Sequence, residues 1–496
     1  MKVEFLDTTF RDGHQSNWGS GMPIGMMEAV AEDVAKSGFQ VVEVPMMPLQ
    51  FKKVVRDLRE DPWEMAKMLA KKMPNVTKAF MGEPAIFPFE IINAPEEIVK
   101  LYYKSITQTG VLNRVQIMAN IFGNVPELYP WYIPMCRSMG LQIALAISYA
   151  LSPRHTDEYY AEKVRQQAAH KPDVIYLKDQ GGLLTIDRIR TLMPIFLENS
   201  NGIPVELHSH CTTGLAEAVY MEAAKLGCPT FHTAIPPLGN GTAQPSVLST
   251  AQNLKLMGNE VDLDLERIKS VSERLSSFAK QDGFPIGAPS PYDYSQYIYQ
   301  IPGGVISNLS HQLKELRLQD RLDEVVKETV EVRKDLGYPV MITPYSQFVV
   351  SQAAINVATG ERYKVVIDEI IQFAQGIFSE DSGFTWMDQN LKDKILDLPR
   401  AKQLATQKKV DVPLKKIREK FGGPNLSDEE FLLRYIMRGT TEIDTMREAT
   451  KAGPWKTYSC RETPLFDLLK NLSNQPQITL FQVNSPQGSL VLQKAK

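Results

Sequence analysis

Through the first half of the chain, short runs of apolar and β-branched residues alternate with stretches whose apolar positions recur every three to four residues. Eight such runs stand out: Val3–Asp7, Gln40–Val44, Thr77–Met81, Arg114–Ala119, Gln142–Ser148, Asp173–Lys178, Pro204–His210 and Thr230–Ile235. Most are apolar nearly throughout, as strands buried on both faces are. Eight strand–helix units in about 240 residues predict an α/β fold, a (β/α)8 TIM barrel. An open doubly wound sheet is the competitor, but it usually carries a glycine-rich turn after its first strand. Here that turn reads TTFRDGHQS.

From about residue 255 the pattern turns mainly helical, with amphipathic stretches at 263–281, 310–335, 365–378 and 429–437. The segment LSDEE predicts a helix start with Ser427 as N-cap and acids in the first turn. Beyond residue 471, QITLFQV and SLVLQ are β-prone and suit a hairpin or a loose tail. We expect a barrel over 1–290, a mainly helical C-terminal domain over 291–460 and a tail or hairpin over 461–496.

Barrel chemistry sits at the C-terminal ends of the strands and in the loops after them. The seventh run ends in HSH. Residues two apart in a strand share a face, so His208 and His210 offer a two-point metal clamp. The sixth run ends in YLKDQGG, where Lys178 either reaches solvent along its own stem or enters the mouth, with Asp179 as its neighbour. After the first run comes RDGHQ. Asp12 suits a divalent ion, with Asp7 as the alternative ligand and His14 as a third imidazole or a structural one. Arg11 suits an anionic group. Glu43 closes the second run. The stretch IPGGVISNL sets Ser307 behind two glycines, and 236–246 (PPLGNGTAQPS) reads as a flexible loop near the mouth. The 20 methionines read mainly as core.

Composition narrows the classes. Across 496 residues, 43% are hydrophobic and 23% charged, which is ordinary for a globular chain. A net charge of −3 gives no field that would gather nucleic acid. No apolar stretch is long enough to span a membrane and the N-terminus has no signal-like segment, so a cytoplasmic protein is expected. The four cysteines, at 136, 211, 228 and 460, form no CxxC pair.

The stretches LDTTFRDGHQS (6–16), EDPWE (60–64), LKDQGGLL (177–184), HSHCTTGLA (208–216), GTAQPS (241–246), PGGVISNL (302–309), VMITPYSQ (340–347) and LSDEEFLL (426–433) together resemble the carboxyltransferase domain or subunit of biotin-dependent carboxylases. The resemblance runs over about 3–440. It implies that Asp12, His208 and His210 bind a divalent metal (Zn, Mn or Co), completed by Lys178 as its carbamate. It implies that Ser307 relays a proton between the biotin nitrogen and the acceptor enol. Arg11 and Gln15 match residues around the keto-acid oxygen and the biotin pocket. The sequence has no Ala-Met-Lys-Met biotin acceptor, so a separate biotin carboxyl carrier protein and a biotin carboxylase subunit are the implied partners, with a homodimer expected.

The acceptor half departs from the family. AFMG stands where the family has LLRG, so Met81 replaces the arginine that grips pyruvate. EVPMM (43–47) replaces ExWGG, and RVQIMANIF lacks FDSLN. Methionine at 46, 47 and 81 suits a less polar pocket, and an acceptor other than plain pyruvate is expected. The alternatives are a pyruvate or oxaloacetate carboxyltransferase with a shifted clamp, or an aldol/Claisen-type lyase or synthase with the same metal but no biotin. A non-catalytic assembly subunit that keeps the barrel as a scaffold is a third.

Overall fold

A computed structural model describes residues 1–82, 95–118, 125–300, 319–342, 344–378, 382–406, 412–459, 480–485 and 488–493. Eight parallel strands form its centre: β1 (Lys2–Asp7), β2 (Val41–Glu43), β3 (Thr77–Met81), β4 (Arg114–Ile117), β5 (Gln142–Ser148), β6 (Val174–Asp179), β7 (Val205–Ser209) and β8 (Thr230–Thr233). Each pairs with the next, and β1 pairs with both β8 and β2, which closes the barrel and rules out the open sheet. A two-residue strand, Glu260–Val261, adds to the start of β1.

The strands need cover on both faces. In β5 (QIALAIS) only the first residue is exposed. Helices between successive strands supply that cover. The helix Pro62–Lys72 shows why the chain turns helical where it does. The Asp61 side chain accepts the backbone N–H groups of Trp63 and Glu64, Pro62 takes the first position, and Lys71 and Lys72 close the last turn.

Next to that cap, the Glu60 carboxylate accepts the backbone N–H of Ile24 at 2.9 Å, at the start of the helix Ile24–Ala35. Burial pushes this carboxyl up from 4.5 to about 7. A raised carboxyl stabilises the fold fully below its unfolded value, and that contribution is lost as pH rises through 7. We therefore expect Glu60→Gln, which keeps an acceptor for Ile24, to be more stable than the parent at pH 8 by up to about 3 kcal/mol, with the gap gone by pH 4.5. Urea unfolding at the two pH values checks this, and a gap independent of pH would refute it.

C-terminal to the barrel the chain is helical, as expected. Val325, Phe348, Val349 and Phe373 share one apolar core with Met81, Met118, Ala146 and Tyr176 from the β3–β6 side of the barrel. The helical layer therefore covers that side of the mouth. Ser427 caps the helix Asp428–Met437 through the N–H of Glu430. The indole of Trp63 donates to the Glu429 carbonyl at 3.1 Å, fastening that helix to the outside of the barrel.

Met1–Lys456 forms one compact unit and Thr457–Lys496 another. Within the second, Leu480–Ser485 and Gly488–Gln493 pair antiparallel, so the β-prone tail is a hairpin. Among the described residues no helix is long and apolar enough to cross a membrane.

Candidate metal centre at the barrel mouth

The interior of the barrel is polar where a purely structural core would be apolar. Leu6, Val41 and Ala79 form a small apolar cluster of their own. Elsewhere Arg11, Asp12, Glu43, Arg114, Lys178, Glu206, His208 and His232 are all buried. Ionisable groups are buried at this density only when paired or held for chemistry.

Two of them, Asp12 and His208, converge with His210. The turn Thr9–Gly13 winds with a π-helical pitch directly after β1 and brings Asp12 to the two imidazoles. Asp12 Oδ2 lies 3.2 Å from His208 Nε2 and 3.5 Å from His210 Nε2, and the two Nε2 atoms are 3.2 Å apart. Ligands of a tetrahedral ion bound at about 2.0–2.2 Å stand ~3.3–3.6 Å from one another. The three spacings are the edges of such a polyhedron, so the residues present fit a divalent cation.

The ring orientations agree with this fit. His210 Nδ1 sits 2.6 Å from the Thr242 carbonyl, which takes its proton and leaves Nε2 as a lone pair. Gln244 Oε1 accepts from Thr8 Oγ1 at 2.7 Å, turning its NH2 toward both Nε2 atoms at 3.1 and 2.9 Å. Burial works against the Asp12 carboxylate, but Arg11 and the two imidazoles hold it well below the usual range. Burial, and after it the Lys178 charge, push the His208 imidazole well below 6.5.

Lys178 stands directly beside His208 in the β6–β7 register and is 5% exposed. It therefore enters the barrel mouth and does not reach out to solvent. Asp179 serves the loop that follows. Its carboxylate accepts the N–H groups of Leu183 and Leu184 and the hydroxyl of Ser209. Gly182 in that loop has φ +63°, and a Cβ there would collide with the His210 carbonyl oxygen. That explains the second glycine of LKDQGG.

The other candidates are dispersed. Asp7 is not among the converging ligands and accepts from Thr9 Oγ1. His14 is buried, accepts the Met22 N–H at 3.3 Å and is pushed down to about 3 by burial and by Arg11. It is structural and no third imidazole. Arg11 makes a two-point contact with Glu43, both bonds at 2.8 Å, and reaches Asp12 at 3.2 Å. Gln15 is exposed and pairs with Gln50 at 3.3 Å. Met46 is buried, with its carbonyl accepting from Tyr102 at 2.6 Å. Met81 packs in the core shared with the helical layer, its sulfur 4.0 Å from Tyr176 OH. Ser307 lies outside the described residues. The 236–246 loop was expected to be flexible. Instead Leu238, Ala243, Gln244 and Ser246 are buried, and Ala234 bridges to Ser246.

Sequence reasoning missed Gln244, Arg114, Glu206 and His232. It also missed Gln116, which neighbours Met81 in register. Its amide is buried and has no hydrogen-bond partner at either end among the described residues. The one available signal was a polar residue at an alternating position inside an otherwise apolar strand.

Comparison with known proteins agrees with the fold. The HMGL-like family model matches residues 2–275, and the chain belongs to that family of barrels. Residues 297–469 match a second model, described as a conserved carboxylase domain. A pyruvate carboxylase subunit of Methanocaldococcus jannaschii is 32% identical over 382 residues, covering 76% of this chain and 66% of that one. The 2-oxoglutarate carboxylase large subunit of Hydrogenobacter thermophilus is 28% identical over 400 residues, covering 80% and 60%. The methylmalonyl-CoA carboxyltransferase 5S subunit of Propionibacterium freudenreichii is 28% identical over 385 residues, covering 76% and 74%. The chain thus spans less than two thirds of the first two relatives, 66% and 60%. The carboxyl transferase domain of Rhizobium etli pyruvate carboxylase, solved with pyruvate, superposes with a TM-score of 0.76 at 22% identity, over 90% of this chain and 77% of that one. The expected kinship with the carboxyltransferases of biotin-dependent carboxylases holds.

Proposed function

We propose that this chain is the carboxyltransferase component of a biotin-dependent carboxylase or decarboxylase, moving a carboxyl group between carboxybiotin and an enolisable acceptor. The observation that carries this reading is the Asp12–His208–His210 triangle with Lys178 beside it in register. In this reading Asp12, His208, His210 and Lys178 hold a divalent ion, of Zn, Mn or Co type. When bound, it polarises the acceptor's oxygen and stabilises the negative charge that grows there on enolisation.

A buried ammonium beside two imidazoles would repel a cation. The ammonium gives up one proton, and its neutral amine then adds CO2 with loss of a second, making an anionic carbamate with oxygen ligands. The buried Ser148 hydroxyl, next to Lys178 in register and without a partner among the described residues, is a donor that a carbamate oxygen would accept. Ser307 is assigned the proton relay: its hydroxyl protonates the biotin nitrogen as the carboxyl group leaves and recovers a proton from the acceptor carbon. Biotin arrives on a carrier, and a biotin carboxylase recharges it. Relatives named as separate subunits of their enzymes support a multi-subunit assembly.

The acceptor is proposed to be other than pyruvate. By the resemblance Met81 stands at the clamp position, and the buried Arg11 and Arg114 are each engaged by a glutamate, Glu43 and Glu206. Gln116 offers a neutral donor and acceptor at the same depth as Met81. With a carboxylated carrier supplied, kcat/KM is expected to be at least about tenfold higher for a larger 2-oxo acid or an acyl thioester than for pyruvate, as one lost or gained pocket contact gives. Pyruvate outrunning every such acceptor would refute this assignment and leave the transferase reading intact.

A further inference from the structure

A polar chain runs through the barrel wall behind the metal triangle and ends on one of its corners. It starts at Arg114 on β4, whose two terminal nitrogens meet the two Glu206 oxygens of β7 at 2.9 and 2.5 Å. Glu206 Oε2 lies 2.9 Å from His232 Nε2, and His232 Nδ1 lies 3.1 Å from His208 Nδ1. Arg114 and Glu206 are 3% and 4% exposed, and both histidines are at 0%. Tyr176 stacks on the His232 ring with centroids 5.4 Å apart, and Tyr220 OH donates to the His232 carbonyl at 2.7 Å. The ring is therefore fixed in plane and height.

The direction of this chain follows from its first link. Arg114 meets both Glu206 oxygens in a two-point contact, the pairing of a guanidinium with a carboxylate. A carboxylate only accepts, so His232 must donate from Nε2. With its proton on Nε2, the His232 tautomer offers a lone pair at Nδ1, and among the described residues the ring nitrogen facing it is Nδ1 of His208, which donates. His208 Nε2 is left as a lone pair aimed at Asp12 and His210. The opposite tautomer would place a proton on Nε2, 3.2 Å from Asp12 Oδ2. That proton would give a hydrogen bond and fill the position an ion needs.

We infer that His232, set by Glu206 and Arg114, is a positioning residue that selects the metal-binding tautomer of His208. This rests on the metal-centre reading above. The ligand His210 has a backbone carbonyl for the same purpose, whereas His208, deeper in the barrel, has a side-chain relay spanning three strands.

Two measurements test it. The first uses selectively 15N-histidine-labelled, metal-free protein, with the His208 signals assigned by difference against His208→Gln. His208 is expected to carry its proton on Nδ1, and a proton on Nε2 overturns the inference whatever any variant does. The second compares zinc affinities by chelator competition. His232→Phe keeps the ring and removes the acceptor, and is expected to weaken binding by about 10–100-fold. His232→Asn keeps an oxygen near the Nδ1 position and should recover most of that loss. Equal affinity in His232→Phe and the parent overturns the positioning role alone. A parent protein that binds no zinc overturns the metal-centre reading along with it. If His232→Phe does not fold, the tautomer measurement on the unaltered protein still decides.

Discussion

Asp12→Asn is expected to fold normally, to lose its divalent ion on dialysis and to transfer carboxyl groups about a thousandfold more slowly or worse. The substitution changes charge and little else in shape. Arg11 keeps both bonds to Glu43, so no buried cation is stranded. What disappears is the one formal negative charge among the three converging ligands. In a buried site that charge has no water to replace it. Losing the ion removes several kcal/mol of stabilisation from the charge that develops on the acceptor oxygen, and about 4 kcal/mol corresponds to a thousandfold. Metal content after dialysis, and turnover with a carboxylated carrier, are the measurements. Stoichiometric metal and parent-like rates in Asp12→Asn would end the assignment of this triangle as the catalytic centre.

The second large effect is expected at Lys178. Lys178→Ala should lower carboxyl transfer by a similar factor, and millimolar formate or acetate should restore part of it. A small carboxylate can enter the space left by the side chain and offer the oxygen ligand that a carbamate would have supplied. An ammonium cannot be replaced in that way, so rescue by carboxylate separates the two chemical forms of the lysine. The experiment also separates the biotin reading from an aldol or Claisen enzyme, which needs the metal and the two histidines but no lysine at this position. Full transfer by Lys178→Ala without any additive would contradict both the carbamate and its place in the site. An alanine variant deaf to carboxylates but rescued by short amines would point to a working ammonium.

Much of the architecture was legible along the chain. Thr77–Met81 and Gln142–Ser148 are strands at the bounds that the apolar runs predict, and the other six agree within two residues at either end. Such strands are buried on both faces, so apolar residues fill most positions and mark their extent. His208 and His210 could be paired from the period of a strand alone. The residues that orient them could not. Glu206 meets Arg114 across 92 positions, and His210 meets Gln244 across 34. No local pattern records which strand faces which. The 236–246 loop misled for a related reason. Glycine and proline mark irregular backbone, but whether that backbone is exposed or packed depends on what surrounds it, and here it folds inward to deliver Gln244.

By itself, then, the sequence determined the barrel, the helical region after it, the paired imidazoles on β7 and a lysine at the end of β6, because each is a matter of periodicity or of position along one strand. The sequence named Asp12 for the third corner with Asp7 as the alternative, and it is the tertiary structure that brings Asp12, on the π-helical turn after β1, together with both imidazoles. It also set which nitrogen of each imidazole faces that corner. Ring orientation is decided by partners on other strands, and closing the barrel is what brings those partners within hydrogen-bond reach.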